Sequence, residues 1–105
     1  METAVQNLFD RYARLTAQAL AGHVDTGALA TLYAPEFIAA APAGVSAGRN
    51  DQTLVQAMIA GFDHYRRIGT QDMVIRDLSL TRLDDLHGVV RVGWRATYAR
   101  ADLPE

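Results

Sequence analysis

The sequence predicts an α+β domain in which three N-terminal helices pack on a curved antiparallel sheet. Three observations carry that prediction. Apolar residues recur at helical spacing in two long segments before residue 70, apolar and polar residues alternate strictly over residues 90–98, and a turn-forming Asp84-Asp85-Leu86-His87-Gly88 precedes that alternation. The chain of 105 residues has room for one hydrophobic core, so residues 1–105 form a single domain.

The first helix spans about Thr3 to Ala21. Val5, Leu8, Phe9, Tyr12, Leu15 and Ala19 fall on one face, with Gln6, Asp10, Arg11, Arg14 and Gln18 opposite. Gly22 is placed to cap its C-terminus, and Asp10 with Arg14 has the spacing of an ion pair one turn apart. Asp25 is a suitable N-cap for a short second helix bearing Leu29, Leu32 and Tyr33, which must stop near Ala34 because Pro35 disfavours helical geometry in the residue before it. A short strand over Phe37–Ala41 follows, closed by Pro42, and Gly44 to Gly48 make a loop or small hairpin.

Asn50 is expected to cap a third helix from about Asp51 to Ile68, with Leu54, Val55, Met58, Ile59, Phe62 and Tyr65 as its apolar stripe. Arg66 and Arg67 suit the negative end of the helix dipole, and Gly69 suits its termination. From Gln71 the period shortens: Val74, Leu78 and Leu80 mark one strand, and Val90, Val92, Trp94, Ala96 and Tyr98 mark the next. The turn between them makes an antiparallel hairpin the simplest pairing.

Composition excludes several function classes. The net charge is −2, and Arg66-Arg67 is the nearest approach to a basic cluster, so a nucleic-acid interface is not expected. Zero cysteines exclude disulfides, thiolate metal sites and a cysteine nucleophile. The N-terminus lacks the basic and apolar runs of a signal peptide, and no segment has the roughly 20 apolar residues that span a bilayer, which reads as cytoplasmic with no membrane partner. All ten basic residues are arginine and alanine is abundant, a bias that fits a GC-rich bacterial genome.

Ala21-Gly22-His23-Val24-Asp25, Leu29, Leu32-Tyr33-Ala34-Pro35-Glu36-Phe37, Pro42 and Gly48 together resemble the opening of the nuclear transport factor two-like superfamily, which includes SnoaL-like polyketide cyclases and ketosteroid isomerases. The resemblance implies a cone-shaped, SnoaL-like fold enclosing a pocket between helices and concave sheet, and a homodimer formed through the sheet. Folds of that group continue with further strands, whereas this sequence closes with Arg100-Ala101-Asp102-Leu103-Pro104-Glu105, which reads as a turn into a strand. The expectation is therefore either a truncated chain or a sheet completed by a partner, because an open edge beside Trp94 and Tyr98 invites pairing.

In the isomerases of that group a carboxylate base precedes the proline closing the first strand. Here that position is Ala41, which cannot accept a proton, so the usual proton transfer is not supported. Tyr12 matches the position of their tyrosine donor, but a donor without a base completes no cycle and Tyr12 reads first as a core-lining aromatic. Cyclases of the group place acid–base residues partly on late strands that this sequence lacks.

His64 neighbours Asp63, but adjacent helix residues point about 100° apart, and Asp63 with Arg67 reads as a surface pair. His23, His64 and His87 lack ligand spacing, so no metal is expected. Asp84-Asp85 is explained by turn chemistry. The walls of an apolar pocket are expected to be Tyr12, Tyr33, Met58, Phe62, Trp94 and Tyr98, with room left by Ala39 and Ala41, while Arg91 and Arg95 face solvent or a second subunit.

Two function classes follow. One is a cofactor-free domain that binds a small apolar organic ligand, with isomerase- or cyclase-type chemistry as its enzymatic form. The other is a dimerisation or interaction module with a filled core.

Overall fold

Helix α1 (Glu2–Leu20) ends where the periodicity ends, with Gly22 at φ 105° immediately beyond Ala21. A residue with a Cβ would resist that conformation. The computed structural model describes residues 1–99, so the expected turn at Arg100–Glu105 lies outside the described residues. Asp10 accepts from the Gln6 amide at 2.9 Å, one turn earlier, rather than pairing with Arg14 as expected. Both geometries are one helical turn, and sequence spacing cannot choose between them.

Asp25 caps α2 (Thr26–Ala30) as predicted, accepting from the Ala28 N–H at 3.0 Å. The helix is shorter than expected. Thr31 turns its hydroxyl back onto the Ala28 carbonyl at 2.6 Å, and Leu32 and Tyr33 continue as a tighter turn bonded three residues back. Strands β1 (Glu36–Ala41) and β2 (Gly44–Arg49) then pair antiparallel in register from Glu36↔Arg49 to Ala41↔Gly44. Of the loop or small hairpin expected here, the hairpin forms.

Helix α3 (Gln52–Arg67) is capped by Asp51, whose carboxylate accepts from the Thr53 N–H at 2.9 Å, and not by Asn50. Asn50 instead donates its amide to the carbonyls of Ala30 at 2.8 Å and Tyr33 at 3.2 Å, while its N–H bonds the Pro35 carbonyl at 2.8 Å. Asn and Asp cap about equally well, and the carbonyls freed at the end of α2 decided which of the two did so. At the other end of α3, Arg66 reaches the Ala19 carbonyl at 2.8 Å and so also closes the C-terminus of α1. Gly69, at φ 85°, ends the helix.

Strands β3 (Thr70–Arg82) and β4 (Gly88–Tyr98) form the long antiparallel hairpin, pairing Ile75↔Trp94, Leu78↔Val92 and Leu80↔Val90. A bulge between Ile75 and Asp77 resets the alternation, so Met73, Ile75, Leu78 and Leu80 share the half-buried face, and Val74 turns outward. Gly93, opposite Asp77, carries no side chain because the Asp77 carboxylate lies where a Cβ would be, 2.5 Å away. Arg91 and Arg95 are exposed.

The fold is α+β, helices on antiparallel strands, but the helices contribute unequally. Helix α1 lies across β3 and supplies the buried residues Leu15, Thr16 and Ala19, and α2 supplies Leu29. Helix α3 has an apolar stripe yet no fully buried residue. Among the elements, only α3 approaches the β1–β2 hairpin, at β2. The outcome is extended: the radius of gyration is 15.3 Å, against about 13 Å for a compact chain of this length.

Candidate functional site

An open groove of about 230 Å³ runs between the three helices. Its walls are Tyr12 from α1, Tyr33 after α2, and Leu54, Ala57, Met58, Gly61, Phe62 and Tyr65 from α3. The helical repeat explains the α3 contribution: residues 54, 58, 61, 62 and 65 recur at steps of three and four, on one face. Gly61 adds no side chain and leaves the floor open. Tyr33 is aimed by the turn that Asn50 holds and by the Phe37 ring, 5.4 Å away centroid to centroid.

The six residues singled out from the sequence divide. Tyr12, Tyr33, Met58 and Phe62 line the groove together. Trp94 stands behind Tyr12, with ring centroids 5.5 Å apart, and supports that wall from the sheet side without lining the groove. Tyr98 is 49% exposed at the far end of β4 and is not among the lining residues. Ala39 and Ala41, expected beside the pocket, lie on the exposed β1–β2 hairpin. The groove therefore lies among the helices, because α1 already occupies the inner face of the β3–β4 hairpin. Tyr65 was legible only as part of the α3 stripe, and Leu54 likewise.

Every lining residue is uncharged, and none is a carboxylate or an imidazole. The polar groups are the phenols of Tyr12, Tyr33 and Tyr65. Burial raises the pKa of Tyr12 above the ordinary tyrosine value, and the hydrogen-bonding Tyr33 side chain adds to the rise. Tyr12 thus keeps its proton throughout the physiological range and is available as a hydrogen-bond donor. Such a site can bind and orient a neutral molecule, but it offers no general base.

The histidines and acidic pairs sit elsewhere. Asp63 pairs with Arg67 at 3.1 Å, and His64 is exposed. In the β3–β4 turn, Asp84 accepts from the N–H groups of Leu86 and His87 and lies 2.8 Å from the His87 Nδ1. The sequence reading explained Asp84 by its backbone bonds and missed this contact with the histidine ring. Among the described residues, no group of three His, Asp or Glu side chains is placed to hold a metal ion. No helix among them is long and apolar enough to cross a membrane.

Comparison with curated proteins and with solved structures yields no match. Residues 2–102 match the family described as NTF2-like protein (DUF6841). With nearly the whole chain covered, and helices set against antiparallel strands as the opening motif implied, this chain belongs to that NTF2-like family.

Proposed function

We propose that this chain binds a small, mostly apolar, uncharged organic molecule in the groove between its three helices. The supporting observation is the convergence of Tyr12, Tyr33, Met58, Phe62 and Tyr65, drawn from distant parts of the sequence, on a groove with three phenols and no charged side chain. An apolar wall with a few polar handles selects by shape and by one or two hydrogen bonds. At about 230 Å³ the groove is smaller than the roughly 300 Å³ at which drug-sized pockets begin, which favours a compact ligand or one that protrudes. Binding, rather than proton transfer, is the reading that the lining supports, given Ala41 in the position of the base and the absence of a carboxylate from the groove walls.

Trp94 is the sole tryptophan and packs behind Tyr12 with the rings tilted at 54°, so its emission reports on the groove. Titration with aromatic ketones, polyketide-like phenols and steroids should quench or shift that emission with at least one compound class. The same compound should raise the thermal midpoint, because a ligand that binds only the folded state stabilises it by about 2.7 kcal/mol at 100-fold excess over its Kd. Met58→Lys, at a half-buried lining position, should abolish both responses while the far-ultraviolet spectrum stays helical. If no compound in these classes moves either signal in folded protein, the reading fails.

A further inference from the structure

Helix α3 carries in its interior a glycine that the fold itself does not require. Gly61 stands more than a turn from either end of Gln52–Arg67, where glycine is a poorer helix former than alanine because the unfolded chain has more conformations to lose. Other glycines of the chain answer to a neighbour: Gly48 clears the Phe37 ring and Gly93 clears the Asp77 carboxylate, each 2.5 Å from where a Cβ would lie. Gly61 clears nothing. Its φ is not positive, and a Cβ there would stand in open space, with nothing from the rest of the fold within 4 Å. Gly61 is half-buried and lines the groove between the helices, so the space it leaves belongs to the groove.

The chemistry of the walls says what could use that space. Half of the lining residues are rings, Tyr12 and Tyr33 from outside α3 and Phe62 and Tyr65 from α3 itself, and no lining side chain is charged. Rings in offset or edge contact attract one another beyond the area they bury. A flat molecule can lay its face on a helix backbone only where no side chain projects, and within the α3 wall that place is Gly61.

We infer that Gly61 determines the specificity of the groove by bringing the α3 backbone into direct contact with the face of a compact, flat, uncharged aromatic ring system. This rests on the reading of the groove as a ligand site and adds which residue sets the shape of the ligand. Helix α3 is less stable at this position than it could be, and the contact with the ligand is what the glycine provides in return, a trade-off common at binding sites.

The test pairs two probes with two variants. β-Naphthol and β-decalol share a carbon frame and a single hydroxyl, but the first is flat and the second puckered. By titration calorimetry the wild-type chain should bind β-naphthol, and β-decalol about tenfold more weakly, the scale of a small misfit in an apolar pocket. Gly61→Ala should raise the thermal midpoint of the ligand-free chain by about 2–8 °C, since alanine is the better helix former. The same variant should weaken β-naphthol by about tenfold or more, because the new methyl group occupies the contact. Ala60→Gly, at an exposed position outside the groove walls, should lower the midpoint by a similar amount and leave the affinity for β-naphthol unchanged, which separates helix stability from ligand contact.

A Gly61→Ala chain that is less stable than wild type shows that the fold needs the glycine and overturns the inference. So does a stabilised Gly61→Ala chain that binds β-naphthol as well as wild type, or a wild-type chain that binds β-decalol as tightly as β-naphthol. In each of those cases the groove remains a ligand site. If neither bicycle binds while a steroid or a polyketide-like phenol does, the shape assigned to Gly61 is wrong and the groove reading stands; if no compound binds, both fall.

Discussion

The two hairpins of this molecule are built alike and used differently. Both are antiparallel pairs with a glycine cleared for a neighbouring side chain: Gly48 under Phe37 in β1–β2, and Gly93 under Asp77 in β3–β4. The long hairpin has one face half-buried against α1 and a charged face outside, so each side of its alternation has its own solvent. The short hairpin is apolar and small on both sides, touches the body mainly through Phe37, and leaves Ile38 and Val45 in water. Pairing alone does not make a sheet face into core; a helix laid across it does.

The largest expected effect breaks the covered side of the comparison. Leu15, 6% exposed, is one of the few fully buried residues of α1, the helix that lies across β3, and Leu15→Ala should cost about 2–5 kcal/mol in chemical denaturation, where a fold with so small a core has little reserve. A loss below 1 kcal/mol would mean that α1 does not hold the long hairpin. A smaller effect sharpens the short hairpin. Gly48→Ala displaces the Phe37 ring and should cost about 1–3 kcal/mol, with the loss of amide protection concentrated in β1 and β2. Uniform loss across β3–β4 would show that the hairpins are not independent.

The smallest effect concerns the tip of the long hairpin. Two backbone N–H groups and the His87 ring hold the Asp84 carboxyl below its ordinary pKa, with the Leu86 N–H the largest cause. A lowered carboxylate pKa means stability that is fully present above the unfolded value near 3.9 and lost as pH falls through the lower folded value. Tip amides of residues 84–87 should therefore lose protection only below about pH 4, and Asp84→Asn should remove that acid-side change while leaving β1–β2 untouched. A titration midpoint for Asp84 at or above the unfolded value contradicts the geometry.

Much of this architecture was legible locally. Gly22, Asp25 and Gly69 punctuate the helices where side-chain chemistry demands it, and the strict alternation of residues 90–96 allowed only a strand. Four groove residues, Tyr12, Tyr33, Met58 and Phe62, were legible as apolar faces. Trp94 and Tyr98 were legible as strand residues but not by their distance from the groove, because alternation tells which side a residue faces and not which neighbour reaches that side first.

What the sequence determined by itself is the element order and the family, since capping, proline restriction and hydrophobic period act over a few residues. Tertiary structure decided the rest. It assigned Asp51 rather than Asn50 as the cap, sent Arg66 to the end of α1, reset β3 with a bulge, and drew the groove in among the helices. Each of those outcomes depends on which unsatisfied carbonyl or uncovered side chain lies opposite in space, and that is fixed only when distant segments meet.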